Sequence, residues 1–123
     1  MDAGKVLQRV AVTQGVFYVA TGVWPLIHID SFQAVTGPKV DWWLVRTVGV
    51  LVGVIGLVLI TAARRRRIGP EVALLAIGSA LGLAAIDTIY ALSGVISPVY
   101  LADAVVELAL VAAWMLGRRR VAA

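Results

Sequence analysis

Most of this chain is taken up by four apolar stretches, and each is long enough to cross a lipid bilayer. They cover residues 10–27, 42–63, 70–93 and 99–117. A transmembrane helix needs about 20 mainly apolar residues to span roughly 30 Å of hydrocarbon. Hydrophobic residues make up 61% of the 123 residues, and a soluble domain of this length could not bury so much apolar side chain. The sequence predicts an all-α integral membrane protein with a four-helix bundle, a single membrane domain over residues 1–123.

Basic residues predict how these helices are oriented. Nine of the eleven Lys and Arg residues fall at one end of the four stretches. By the positive-inside rule, we expect both termini and the arginine loop in the cytosol, in the cytoplasmic membrane of a prokaryote. These arginines are expected to anchor the helices and to contact membrane lipids. They also account for the net charge of +4 without a nucleic-acid partner. The predicted membrane anchors are Arg64, Arg65, Arg66, Arg67, Arg118, Arg119 and Arg120.

One short motif occurs twice. Residues 18–25 read Tyr-Val-Ala-Thr-Gly-Val-Trp-Pro, and residues 90–98 read Tyr-Ala-Leu-Ser-Gly-Val-Ile-Ser-Pro. Each copy ends one apolar stretch and begins the turn into the next. The pattern predicts two repeated helical hairpins, at 7–67 and 70–120, related by an approximate two-fold axis along the membrane normal. The first outer loop is longer, and its extra residues, around 29–39, are expected to form a short helix or a lid.

Several polar side chains lie within or beside the apolar stretches. Charges in the bilayer cost a few kcal/mol each, so they are expected to converge and pair. Arg46 is the expected partner of the acids in an intramembrane salt bridge. One cation facing three acids leaves a carboxylate excess, so either one acid holds a proton or a cationic ligand compensates. The predicted polar cluster consists of Arg46, Asp87, Tyr90, Asp103, Glu107, Tyr18, Gln14 and His28.

Two interpretations of this cluster are open. In the first, it lines an outward-opening pocket between the hairpins that binds a proton, a cation or a small amphipathic ligand, with His28 at its mouth. In the second, the same side chains only hold the two hairpins together. A lone histidine beside a membrane interface is more typical of an amphipathic boundary residue than of a metal ligand, and no metal site is predicted.

Glycines mark two predicted packing faces. Small residues let membrane helices approach closely. Gly49, Gly53 and Gly56 share a stripe with Arg46, whereas Gly78 and Gly82 lie opposite the acid of the third stretch. A third helix with both a glycine face and an acidic face suits a homodimer or a larger membrane complex.

The functional classes are narrowed mainly by exclusion. The chain has no cysteine, so thiol chemistry and thiolate metal sites are excluded. Motifs for phosphate binding, zinc proteolysis or a serine triad are missing, so an enzyme is disfavoured, and the sequence identifies no cofactor. The first hypothesis is a small protein that binds a ligand or partner at the polar pocket. The alternatives are an accessory or scaffold subunit of a larger membrane complex, and a proton- or cation-linked small transporter.

Overall fold

The computed structural model describes the backbone of residues 3–122 and the side chains of residues 4–121, and it is helical almost throughout. Four of its helices are long and apolar enough to cross a membrane, and the described residues contain no strand. The predicted class, a multi-pass helical membrane protein, is confirmed. The helices are α1 (Ala3–Ile27), α2 (Ile29–Thr36), α3 (Trp42–Arg64), α4 (Pro70–Leu92) and α5 (Val99–Ala122).

The helix ends follow from local sequence. Pro70 occupies the first turn of α4, where the missing N–H costs nothing, and Glu71 adds a favourable charge there. Helix α4 ends at a left-handed residue, Gly94, with φ +77°. Helix α3 ends in the same kind of turn, but its left-handed residue is Arg66, with φ 54°. An L-residue pays a steric cost in this region, so the α3–α4 turn carries local strain that glycine would relieve.

Glycines bring α1 and α3 into close contact. A Cβ added at Gly22 would lie 2.8 Å from the backbone nitrogen of Gly53 and would overlap the carbonyl oxygen of Gly49. A Cβ at Gly15 would lie 2.7 Å from the carbonyl oxygen of Gly56. The two backbones therefore touch directly over two turns or more, and α1 and α3 form the most intimate pair in the bundle.

Helix α1 is the central element of the bundle. Consecutive long helices pair, α1 with α3 and α4 with α5, and the two pairs meet mainly where α1 packs against α5. Helices α3 and α4 touch each other only lightly. One face of α1 is therefore used by α3, and its opposite side is turned toward α4 and α5.

The outer connection contains the expected short helix, α2. His28 caps its first turn, since the ring Nδ1 accepts a hydrogen bond from the Ser31 backbone N–H at 3.1 Å. Trp24 donates to the Ser31 hydroxyl at 2.8 Å and packs edge-on against Phe32 at 5.3 Å between ring centroids. These contacts fix α2 against the end of α1. Helix α2 also touches α5, so it lies over the end of the bundle where α5 begins.

Candidate functional site: a buried polar network between α1, α4 and α5

Helices α1, α4 and α5 each carry polar side chains on the same face as small or apolar side chains. On α4, Asp87 continues a buried stripe of alanines. On α5, Glu107 and Trp114 lie seven residues apart on one face, and on α1, Gln14 and Tyr18 lie four apart. Alanines let the helices approach, and the polar groups of all three then meet in the interior of the bundle.

The strongest contact in this network joins α1 to α5. The Tyr18 hydroxyl donates a hydrogen bond of 2.7 Å to Oε1 of Glu107. Both side chains are only 1% exposed. A short hydrogen bond to a carboxylate is stronger than one between neutral groups, and burial raises the cost of losing it.

Two aspartates complete what we call the acidic cluster, which is defined as Asp87, Asp103 and Glu107. Asp87 is 5% exposed, and its Oδ2 is buried without a hydrogen-bond partner. Asp103 is half-buried and is the charged neighbour of both Asp87 and Glu107. Three carboxyl groups thus lie side by side within the bundle. A buried polar atom without a partner is rare in native structures and needs a physical reason.

A second polar layer lies on the arginine side of the acidic cluster. The indole N–H of Trp114 donates to Oε1 of Gln14 at 2.6 Å, and Nε2 of Gln14 donates to the backbone oxygen of Ala76 at 3.0 Å. Gln14 and Trp114 are both fully buried. This layer, which we call the tryptophan layer, ties α1, α4 and α5 together with every named donor satisfied.

The expected ion pair at Arg46 is not formed, and this prediction is corrected. Arg46 is exposed on α3, and no ion pair occurs among the residues that the structure describes. The reason lies in the order of the helices. The glycine stripe beside Arg46 faces α1, and α1 stands between α3 and the acidic helix α5. Sharing a face with Gly49 therefore directs Arg46 away from the acids.

Two further predicted residues also lie outside the network. Tyr90 is 42% exposed, because its position on α4 is rotated by about 60° from that of Asp87. His28 is exposed and serves as the N-cap of α2.

The glycines of α4 differ from those of α3. A Cβ at Gly78 or Gly82 would meet no atom within 4 Å, and both residues are exposed. This face of α4 makes no close helix contact within the described chain, in contrast to the stripe that packs against α1.

Two grooves on the surface of the bundle lie away from the acidic cluster. They are open, have volumes of about 520 and 360 Å³, and lie at the arginine end of α3. Among residues 4–121, no group of three or more metal-binding side chains is arranged to hold a metal ion. The outward-opening cavity expected around the acids is not among these two grooves.

Sequence reasoning missed two kinds of contributor. Trp114, near the arginine end of its span, is fully buried, and its seven-residue spacing from Glu107 is the signal that could have indicated this. Gly15 and Gly22 were not predicted to pack, although their own spacing of seven places them on one face of α1.

No protein-family model, curated protein or solved structure matches this chain.

Proposed function

We propose that this protein binds a small organic cation at the acidic cluster. The observation that carries the proposal is the buried Oδ2 of Asp87, which has no hydrogen-bond partner. An unpaired carboxylate oxygen inside a bundle accepts hydrogen bonds and favours positive charge. An ammonium group supplies both at once, with up to three N–H donors.

The charge balance supports the same conclusion. Three carboxyl groups lie together, and the only cation expected nearby, Arg46, is exposed on the far side of α1. Buried charge is normally paired, because leaving it unpaired costs several kcal/mol. Tyr18 satisfies one oxygen of Glu107, but it supplies no charge. A bound cation would complete the pairing, whereas the alternative, protons held by the acids, would leave the wild type without an adduct.

The proposed route of the ligand to the acidic cluster is from the α2 side. Asp103 lies four residues into α5, about 6 Å from the start of that helix, and is only half-buried. Helix α2 touches α5 at this end of the bundle. We propose that Asp103 is the point of entry and that Asp87 and Glu107 form the floor.

The proposed setting follows from the charge distribution. We propose that the arginine end faces the cytosol, that the protein resides in a prokaryotic cytoplasmic membrane, and that the hairpins at 7–67 and 70–120 are repeats. The acidic cluster would then lie in the outer half of the bilayer. This orientation rests on the nine basic residues at one end of the spans.

The main competing explanation is that the polar side chains only hold the helices together. The hydrogen bonds of the network distinguish this structural role from ligand binding. Tyr18 with Glu107, and Gln14 with Trp114, have satisfied hydrogen bonds that join helices of different pairs. Those contacts need no ligand. Asp87 is different, because its buried Oδ2 receives no donor and the side chain beside it is a second carboxyl group, that of Asp103.

The test is native mass spectrometry of the chain released from its own membrane in mild detergent. We expect a small cationic adduct on the wild type that is lost in Asp87→Asn and kept in Asp41→Asn. Asp41 is an exposed residue before α3 without a side-chain cap bond, so the control removes the same charge elsewhere. Adducts that survive Asp87→Asn would refute the proposal. Recovery of the wild type only with another polypeptide and no adduct would instead favour an accessory subunit.

A proton- or cation-linked transporter is the second candidate, because the polar groups extend through the bundle. Trp114 lies eleven residues after Asp103, which is a distance of about 16 Å along α5. Such a row of polar side chains inside a membrane helix is typical of ion and proton pathways. Liposomes with an imposed proton gradient should then show flux that Glu107→Gln abolishes. Liposomes without flux under gradients of either sign would exclude transport.

A further inference from the structure

The larger of the two grooves described above lies between α1 and α3, at the opposite end from the acidic cluster. It has a volume of about 520 Å³. Its walls come from the first turns of α1 and from the last residues of α3. The lining residues that matter here are Lys5, Arg9, Val12, Thr13, Ala63 and Arg64.

The charge of this groove is entirely of one sign. Lys5 and Arg9 on α1 and Arg64 on α3 provide three cations, and none of the lining residues is acidic. All three side chains are exposed. Since the two helices are held together by glycine contacts further along, these cations are presented from two sides of one fixed cleft.

Apart from Gln8 and Thr13, the remaining lining residues, Val12 and Ala63, are apolar, and the groove leads toward the bilayer interior. Val12 lies seven residues after Lys5, about 10 Å further along α1. The Thr13 hydroxyl is bonded to the backbone oxygen of Arg9 at 2.8 Å, so it presents its methyl group more than its polar atom. Beyond the groove, Val16 continues the exposed apolar surface of the same helix.

We propose that this groove binds an anionic phospholipid. The phosphate lies among Lys5, Arg9 and Arg64, and the first part of one acyl chain lies along Val12 and Ala63. The order of features, three cations followed by an apolar channel parallel to a transmembrane helix, matches a lipid with its headgroup at the membrane surface. Basic pockets between transmembrane helices recognise lipid headgroups in this way.

The experiment compares two triple variants that remove the same charge. The groove variant carries Lys5→Gln, Arg9→Gln and Arg64→Gln. The α5 variant carries Arg118→Gln, Arg119→Gln and Arg120→Gln, so it removes the same charge from the end of α5. Phosphatidylglycerol is titrated onto each purified protein in detergent, and bound lipid is counted by native mass spectrometry. Each basic residue near an anionic headgroup contributes about five-fold in affinity, so the groove variant should bind roughly 100-fold more weakly. The α5 variant should lose less than about five-fold.

A third variant tests the apolar part without changing charge. Val12→Trp places a large ring in the groove and should weaken phosphatidylglycerol binding by about ten-fold or more. Phosphatidylcholine, which has the same phosphate but no net charge, should bind the wild type much more weakly. Glycerol phosphate, which lacks acyl chains, should not displace the lipid.

The overturning results are equally specific. Equal losses in the two triple variants would show that only diffuse charge attracts the lipid. Full binding by Val12→Trp would show that the groove is not occupied by a chain. Displacement by equimolar glycerol phosphate would identify a site for free phosphate compounds. Any of these refutes the lipid site and leaves the proposed function of the acidic cluster untouched.

Discussion

Because α1 and α3 are in close contact, we expect two Gly→Ala substitutions to change the free energy of unfolding in opposite directions. In Gly22→Ala, the new methyl group would lie 2.8 Å from the Gly53 nitrogen, against about 3.4 Å for ordinary contact, and would overlap the Gly49 carbonyl oxygen. Both neighbours are backbone atoms on α3, so they cannot rotate out of the way. The helices must separate by at least 0.6 Å, the difference between 3.4 and 2.8 Å. Gly78→Ala adds the same methyl group to α4 with no atom within 4 Å.

The magnitudes follow from two separate contributions. Replacing a helix-interior glycine by alanine favours the helix by about 0.8–1 kcal/mol, and both variants gain this. Overpacking a tight contact destabilises a protein by about 1–3 kcal/mol, and of the two variants only Gly22→Ala overpacks one. We expect Gly78→Ala to be stabilised and Gly22→Ala to be destabilised. Since the propensity contribution cancels, the difference between the two reports the steric cost alone, about 1–3 kcal/mol.

The assay is the free energy of unfolding in mixed micelles, with increasing denaturing detergent and tryptophan fluorescence as the signal. Trp114 is fully buried and reports the loss of the bundle interior. Equal stabilities of the two variants, or a stabilised Gly22→Ala, would refute the close backbone contact and with it the helix order that places α1 in the centre.

Two further predictions concern the polar side chains and use the same assay. Tyr18→Phe leaves a buried oxygen of Glu107 without its 2.7 Å donor and should lower the free energy of unfolding by about 1–3 kcal/mol. The control is Tyr90→Phe, at a 42% exposed position, which should change it by less than about 0.5 kcal/mol. Equal effects of the two variants would mean that water replaces the Tyr18 hydrogen bond. Arg46→Leu should lower the free energy of unfolding by less than about 0.5 kcal/mol, because Arg46 is exposed and forms no ion pair with a described acid. Lys39→Leu should lower it by about 0.5–1 kcal/mol, because the Lys39 ammonium lies 4.7 Å from the centroid of the Tyr100 ring. A large loss in Arg46→Leu would restore the ion pair that the sequence suggested.

The sequence by itself determined the class of the protein and the number of long helices. In a bilayer each segment must satisfy its own backbone hydrogen bonds, so a helix of about 20 apolar residues forms almost regardless of its neighbours. Hydropathy therefore identified the spans, and the cost of charge in a bilayer indicated that the acids converge. The greater length of the first outer loop likewise indicated a short helix or a lid around residues 29–39, where α2 forms.

Only the tertiary structure decided which neighbour each face meets. A helical wheel relates residues within one helix, but the rotation of that helix in the bundle is set by packing against the others. Arg46 shows the consequence, since the glycines beside it are buried against α1 and not against α5. Trp114 shows the reverse, because this residue near the end of a span is fully buried in the bundle, where its indole N–H donates to Gln14. The central position of α1, fixed by glycine contacts between backbones, separates the arginine from the acids and leaves the acidic cluster without a cation.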